Sequence, residues 1–584
     1  MIKKLFRQML VTQILSSMTV MLCMLIDSIM IGRFLGVDSM TAYGFATPVL
    51  LVFAALGNMI SAGIQVLCGK TMGCGDKKGT NAGFTVSVFL ATAIAVGGMI
   101  IILVFTNPIC ELLGAGKPTP DNDVFFLTRD YLRGFIIGAP AFIGAQIMVP
   151  YMQMSGNQPR LVIAVALMTV SDIIFDILNV TVFDGGTFGM GLASSLSYYF
   201  AFTIGILYFF KKECIFRLRP KLFKARVCGE LVRDGFPTLV NQVSLVLLTF
   251  VLNKLLAYVG GNHAVAAYSV ITSVGNICYS FGSGIASVSL MLSSIFYSDE
   301  DKSSLRSLVK TMTFYSFVIC SSVTAIVFAA AKPLVLLFIE DRDASGMATI
   351  GLRMFVLSLV PCALNTCFKH YYQGIDRVPL TQVISVLQNF LLTSLSALIL
   401  SAFFGVDGVW MGFFCGEMLT LAFISAYVFI KAKQVKFTAE NFSLLPEDFG
   451  AADEDCLEFS ITKESDIRAT AKRAEQFCLE RGLSPKESTK VAICVRELTE
   501  NVVIHGFTKD KRHHLIEIRL FMKNGKPILR FRDNCVHFDP VKFMKLHKDD
   551  EPQAEQVGLR MVMTLAENVN YVNSLGLNNL TVTF

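Results

Sequence analysis

Over about its first 430 residues the chain alternates long apolar runs with short clusters of Gly, Pro and charge, and then it changes character. At 1.5 Å rise per residue each run can cross about 30 Å of hydrocarbon as a helix. The pattern predicts about twelve spans, over 8–31, 42–69, 83–106, 128–154, 161–183, 187–210, 231–259, 264–297, 310–331, 348–374, 380–404 and 407–431. After Val435 the stretch KFTAENFSLLPEDFGAADEDC is polar and acidic, with Pro446 and Gly450, and reads as a linker. From about Cys456 a compact α+β pattern follows. LEFSI is a short alternating strand, Glu464 to Arg481 is helical, and Ser484 to Phe507 is a second helix. Ser484-Pro485-Lys486-Glu487 opens that helix as a capping box with Pro at the first helical position. Strands near Leu515–Met522 and Ile528–Arg532 lead through DNCVHFDP to VGLRMVMTLAENVNYVN and the terminal NNLTVTF.

Composition agrees with this division. A chain of 584 residues that is 53% hydrophobic and 16% charged, with mean hydropathy +0.57, is mostly membrane. The opening MIKKLFRQML lacks a small-residue cleavage site and reads as the start of the first span. The 15 Cys include many in apolar runs and none in C-x-x-C spacing, which predicts free thiols. Nothing resembles a Walker motif, so a P-loop pump is excluded, and nothing calls for a nucleic-acid partner.

Charge sets the expected orientation. With Lys3, Lys4 and Arg7 inside, alternate loops carry Lys77 and Lys78, Arg160, the cluster from Lys211 and Lys212 to Arg226, then Lys302, Arg306 and Lys310, and Arg377. The opposite loops hold Asp121, Asp123, Asp184, Glu340 to Asp343 and Asp407. An even number of spans then leaves both termini cytoplasmic, in a multi-pass protein of the cell membrane.

The basic cluster also divides two similar halves. Tyr151, Gln153 and Pro159 match Tyr371, Gln373 and Pro379; FGMG at Phe188–Gly191 answers FGVDGVW at Phe404–Trp410; AYG at Ala42 answers AYS at Ala267. Two six-span units therefore lie parallel about a cavity, an arrangement of transporters more often than of receptors or anchors.

Asp27 sits in the first apolar run, where an ionised carboxylate costs about 2.5–3.5 kcal/mol even on the most lenient scale unless it is protonated, paired or facing water. In the fifth span VSDIIFDILNV places Asp172 and Asp176 at i and i+4 on one helical face, where a shared proton or a bound cation relieves their repulsion. Acids near a span end are the plain alternative. The second half has no acid from Phe236 to Val259 or between Arg353 and Tyr372, so coupling is expected in the first half. Lys254 is expected near a membrane surface, and Glu417, in the last span, could pair with a base or line the cavity.

D-x-x-x-x-G-R at Asp27–Arg33, the A-x-G near Ala42, the G-x-P at Gly138–Pro140, and G-V-W at Gly408–Trp410 with Glu417 beyond resemble the multidrug and toxic compound extrusion (MATE) family over about three quarters of the chain. The resemblance implies a V-shaped pair of six-helix lobes that alternates access, exporting cationic or amphipathic compounds against inward H+ or Na+ flow. It also implies that Asp172 stands where the family commonly has Asn in N-x-x-x-D, facing Asp27, and that Tyr131 and Ser194 join the first lobe's polar network.

In the tail, Glu497, Asn501 and His505 stand at four-residue steps in RELTENVVIHGF and are expected on one face. An acid and an amide one turn apart can orient a water and hold Mg2+ beside a nucleotide; a solvated face is the plain alternative. The order of elements resembles the GHKL nucleotide-binding superfamily, most closely the anti-sigma-factor serine kinases, over about 130 residues. That resemblance implies ATP and Mg2+ as ligands, with Glu497 as the catalytic base, Asn501 as the Mg2+ ligand, Asp533 as reader of the adenine amino group, and Gly558 at the phosphate-side helix start. The chain departs from the family's D-x-G in Asp533-Asn534-Cys535, and keeps Gly558, after Gln556, where a pair of glycines is usual. Cys535 puts a side chain where adenine needs room, and fewer glycines leave fewer open backbone N–H groups.

The expected architecture is thus a polytopic α-helical membrane protein with lobes 1–218 and 219–435, a linker 436–455 and a GHKL-like α+β cytoplasmic domain 456–584. The expected function is H+- or Na+-coupled antiport of small amphipathic or cationic compounds, with the nucleotide as a signal rather than fuel, and a transporter rather than an enzyme. The alternative is a membrane-tethered anti-sigma-type serine kinase or partner-switching sensor that binds a sigma-factor regulator or another cytosolic protein. Lipid-linked sugar flipping would require basic residues along the cavity, of which Lys254 is the one candidate read from the sequence.

Overall fold

Apolar runs of this length bury their backbone polar groups within their own helices, and the computed structural model shows that outcome. It describes residues 2–211, 214–338, 342–507, 514–547 and 554–584. Among the described residues, ten unbroken helices and two bent pairs are long and apolar enough to cross a membrane, up to twelve spans with each bent pair taken as one. In chain order these are α1 (Ile2–Leu35), α2 (Asp38–Gly73), α3 (Lys77–Val104), α4 (Asp123–Ile136 with Ala139–Met154), α5 (Gln158–Phe183) and α6 (Gly186–Phe209). The second set is α7 (Ala225–Gly261), α8 (His263–Ser298), α9 (Lys302–Ala329), α10 (Ser345–Leu357 with Leu359–Gly374), α11 (Val378–Phe404) and α12 (Val406–Ala432).

Proline explains both bends. Pro140 follows the 47° break in α4, and Pro361 follows the 44° break in α10, each where a missing N–H frees a carbonyl of the preceding turn. Every span begins ahead of its expected start, because the helices continue into the polar boundary, whereas α3, α6 and α9 stop one or two residues short of their expected ends.

A large core joins both lobes at one end: Leu5, Ile60 and Leu67 of the first lobe and Leu231, Ile285 and Ile295 of the second belong to a single cluster. Toward the other end the cores are separate, one around Tyr131 and Phe135 and one around Trp410 and Phe355. The two lobes therefore share one core at one end and keep separate cores toward the other.

The tail builds β1 (Cys456–Ile461), α13 (Ile467–Glu480), α14 (Pro485–Asn501), β2 (Ile516–Lys523), β3 (Lys526–Asp533), α15 (Pro540–Leu546), α16 (Ala554–Leu565), β4 (Asn568–Ser574) and β5 (Leu577–Thr583). The Ser484–Glu487 capping box is formed in both directions. The strands make one antiparallel sheet in the order β1-β2-β3-β5-β4. Its inner face, with Ile518, Leu520, Leu529 and Phe531, packs on Val491, Val495 and Val562 of the helices.

The outer face of the sheet rests on the joined end of the lobes. Arg532 pairs with Asp299 at 3.1 Å, Lys523 with Glu300 at 2.7 Å and Arg519 with Asp301 at 3.4 Å, all in the turn between α8 and α9. Burial pushes the Asp299 carboxyl up against the pull of Arg530 and Arg532. Burial acts the same way on Asp301, but Arg519, Arg532 and Ser304 together hold it below the usual carboxylate range. On the first lobe, the Leu575 N–H donates to the Met154 carbonyl at 2.6 Å and the Asn570 amide donates to the Gly75 carbonyl at 3.2 Å. Gly156 and Gly576 both have left-handed φ, 72° and 74°, and pack backbone to backbone, where a Cβ on Gly156 would overlap the Gly576 main chain.

The stretch expected as a linker is held against the spans. Phe442 is buried, the Tyr371 and Tyr372 hydroxyls donate to the Ser443 and Phe442 carbonyls at 3.2 Å each, and Phe449 stacks on Tyr297 at 4.9 Å. Of the charges used for orientation, Lys212, Glu340 and Asp341 lie outside the described residues. No disulfide joins cysteines among the described residues.

Candidate functional site

Asp27 of α1 and Asp172 and Asp176 of α5 converge in the first lobe. They are 7%, 2% and 0% exposed, and one carboxylate oxygen from each lies within 4.8 Å of the others. Ser194 of α6 donates to Asp27 Oδ2 at 3.2 Å, and Ser197 donates to Asp172 Oδ1 at 2.8 Å. Asp27 Oδ1, Asp172 Oδ2 and both Asp176 oxygens are buried without a hydrogen-bond partner. Two unit charges 4.8 Å apart repel by about 3 kcal/mol even at an effective dielectric near 20, so three ionised acids here require a compensating cation or protons. The open oxygens supply the donor set for either. Immediately beyond the acids, both helices relax into π-helical turns, Ile31–Leu35 and Asn179–Phe183, a distortion frequent at functional sites.

Ser194 stands where the sequence places it, touching an acid. Tyr131 is buried nearby, edge-on to Tyr43 at 5.3 Å, and its hydroxyl makes no hydrogen bond to the three acids. Ser197 was not read from the sequence; its signal is the repetition in SSLS, where Ser194 and Ser197 lie one turn apart.

In the tail, Glu497 is partly buried beside Arg496 at 3.7 Å, and Gly558 at the start of α16 lies so close that a Cβ there would strike its carboxylate. Asn501 ends α14, and its amide is without a partner among the described residues. His505 lies in the π-helical turn Val502–Gly506, beyond the α-helical register of Glu497 and Asn501, and is exposed. Asp533, at the end of β3, accepts from the Cys535 N–H at 3.0 Å and from the Asn578 amide at 2.8 Å. Burial pushes its carboxyl up, with Asn578 and the Cys535 N–H pulling the other way. Cys535 packs toward Gly506 and approaches His514 at 3.8 Å. Gln556 lies outside the residues whose side chains are described. Gly558 thus meets Glu497, and Asn501 stands one helical turn beyond Glu497 with its amide open.

The MatE family model matches residues 13–178 and 237–399, on both sides of the central basic cluster. The chain belongs to the MatE family. A second model, the histidine kinase-like ATPase domain, matches residues 459–584, so the protein is a MATE transporter fold fused to a domain of that type. It is 23% identical over 416 residues to "Multidrug export protein MepA" of Staphylococcus saprophyticus, covering 70% of this chain and 90% of that protein. The corresponding protein of a Staphylococcus aureus strain is 22% identical over 407 residues, covering 69% and 88%. Among solved structures, a MATE in complex with MaL6 superposes with TM-score 0.69 at 20% identity, covering 74% of this chain and 97% of that one. A mutant of the Vibrio cholerae MATE transporter VcmN gives 0.68 at 17% identity, covering 74% and 98%.

The second lobe of this MATE chain holds a polar cluster of which sequence reading named only Glu417. Lys369 of α10 is 3% exposed and donates to Asn241 Oδ1 at 2.5 Å and Gln388 Oε1 at 3.0 Å. Gln388 in turn donates to Glu417 at 3.2 Å, and Asn365 donates to Glu417 at 2.8 Å. The basic residue inside this lobe is therefore Lys369, whereas Lys254 is exposed and lies over the Phe250 ring at 4.5 Å. The signal was Lys369-His370 interrupting an apolar run; scanning for acids alone passed over it.

Proposed function

We propose that the protein is a cation-coupled antiporter, driven by H+ or Na+, that exports amphipathic or cationic compounds and carries a cytoplasmic nucleotide-binding domain that regulates it. The observation that carries the reading is the set of four unpartnered, buried oxygens of Asp27, Asp172 and Asp176. Such a set binds a cation or protons when water is excluded and releases them when it is admitted. Rocking of two lobes about a shared end admits and excludes water in turn. The export function in the names of the staphylococcal relatives supports the direction of transport. Basic loops gathered at the end that bears the domain support cytoplasmic termini in the cell membrane. The domain partition 1–218, 219–435, 436–455 and 456–584 is proposed with it.

For the tail, contact of one sheet with turns of both lobes supports regulation: a domain bridging Asp299–Asp301 and Met154–Gly156 resists separation of the lobes at that end. ATP with Mg2+ at Glu497, Asn501, Asp533 and Gly558 is the proposed signal.

The test is gradient-driven dye efflux from proteoliposomes. Asp27→Asn is expected to abolish efflux driven by a proton or sodium gradient while the protein still inserts; unchanged efflux removes the coupling role.

A further inference from the structure

A cavity of about 930 Å3 lies at the seam between the spans and the docked domain. Its walls are the start of α1 from the first lobe, the start of α9 from the second, and the segment entering β1. Five cations line it, Lys3, Lys302, Arg306, Lys310 and Arg519, against two carboxylates, Asp453 and Glu458.

The carboxylates are already answered. Arg306 pairs with Asp453 at 3.1 Å and with Glu440, and Glu458 takes the Ser303 hydroxyl at 3.2 Å and lies 3.7 Å from Arg519. Lys3, Lys302 and Lys310 have no hydrogen-bond or ion-pair partner among the described residues. Three ammonium groups that no carboxylate hydrogen-bonds or ion-pairs, with Lys302 acting on Asp453 only through space, surround one hollow and select an anion.

The apolar part of the wall narrows the choice. Lys302, Arg306 and Lys310 stand at four-residue steps on one stripe of α9, and about 18 Å from Lys302 along the same helix the cavity reaches Phe314 and Tyr315. Phe314 is 61% exposed on an apolar span, so it faces lipid. A ligand that satisfies the lysines and also covers this aromatic wall has a negatively charged head and a hydrocarbon tail.

We propose that the cavity binds the headgroup phosphate of an anionic phospholipid from the leaflet on the domain side, its oxygens held by Lys302, Lys310 and Lys3 and its acyl chain passing Phe314. The site does not depend on the transport reading; it requires only that α9 lie in a bilayer. The bound lipid bridges α1 and α9, and hence both lobes, beneath the docked sheet.

The test is native mass spectrometry of the full-length protein in neutral detergent, with added phosphatidylglycerol, phosphatidylcholine or inorganic phosphate. The wild-type protein is expected to retain one phosphatidylglycerol in preference to phosphatidylcholine. Lys302→Gln combined with Lys310→Gln should weaken that retention roughly tenfold, Lys302→Arg with Lys310→Arg should preserve it, and Lys221→Gln with Lys224→Gln, in a distant basic loop, should leave it unchanged. Equal retention by the Lys302→Gln/Lys310→Gln protein overturns the proposal, as does equal affinity for phosphatidylcholine. Displacement of the lipid by millimolar inorganic phosphate alone would assign the lysines to a soluble phosphate instead. Should the Gln double variant unfold, each single Lys→Gln is expected to lose part of the retention, and no loss from either overturns the assignment.

Discussion

Arg532, on the outer face of β3, reaches the Asp299 carboxylate at 3.1 Å while its guanidinium lies over the Phe296 ring at 5.4 Å, so one side chain of the soluble domain grips both the turn and the end of α8. Both partners are largely buried, at 16% and 13% side-chain exposure. Asp299 is also held by Arg530 at 2.9 Å, so losing Arg532 weakens the clasp without leaving the carboxylate unpaired.

Arg532→Asp puts a like charge against Asp299 and should loosen the domain from the second lobe, and adding Asp299→Asn, which removes that repulsion and keeps an acceptor for Arg530, should restore part of the docking. Hydrogen exchange of β2 and β3 is the measurement: faster exchange in the single variant and recovery in the double are expected. No change in either would mean that the pair does not hold the domain.

Lys369→Met leaves the buried Gln388 oxygen without its donor, while the Asn241 oxygen keeps the Asn389 amide, and should lower stability by about 1–3 kcal/mol. Thermal unfolding of the purified protein reads this. Because the coupling acids are proposed in the other lobe, efflux per folded molecule is expected to persist; its loss would place an ion or substrate step at Lys369.

Asn501→Ala should reduce Mg2+-dependent ATP binding by the full-length protein tenfold or more, with Glu497→Gln leaving binding in place. Equilibrium titration with and without Mg2+ distinguishes the two roles. If the wild-type protein binds no nucleotide, the fold serves as a docking module alone.

Burial holds the Asp533 carboxyl above its ordinary range, so the folded domain retains that proton more tightly than the unfolded chain does. The resulting stabilisation is complete below the ordinary carboxylate range and is lost as pH rises through the folded-state value. Asp533→Asn keeps an oxygen for the Cys535 N–H and carries no charge. It is expected to raise the unfolding midpoint of the sheet at pH 7 and to lose that advantage near pH 4. An advantage independent of pH would show that burial of the charge is not the cause.

The spans were legible because run length and hydropathy are local properties, and the acid pair Asp172 and Asp176 because four residues make one helical turn. Their meeting with Asp27 followed from family resemblance rather than from spacing. Three features were not legible for physical reasons. A π-turn has no composition of its own, so the change of helical register at His505 was hidden. A single buried lysine such as Lys369 resembles a span boundary until its partners on α7 and α11 are known. The basic face of β2 and β3 reads as ordinary solvated surface, since Asp299 lies more than two hundred residues away from Arg532 in the chain.

The anchoring of Phe442 and Phe449 has its own consequence for timing. A domain fastened so close to its berth cannot diffuse away when its ionic contacts let go; it meets the same turns again at an effective concentration on the order of millimolar. Occupancy of the berth then responds to small differences in contact energy, and a weakly bound signal suffices to tip it.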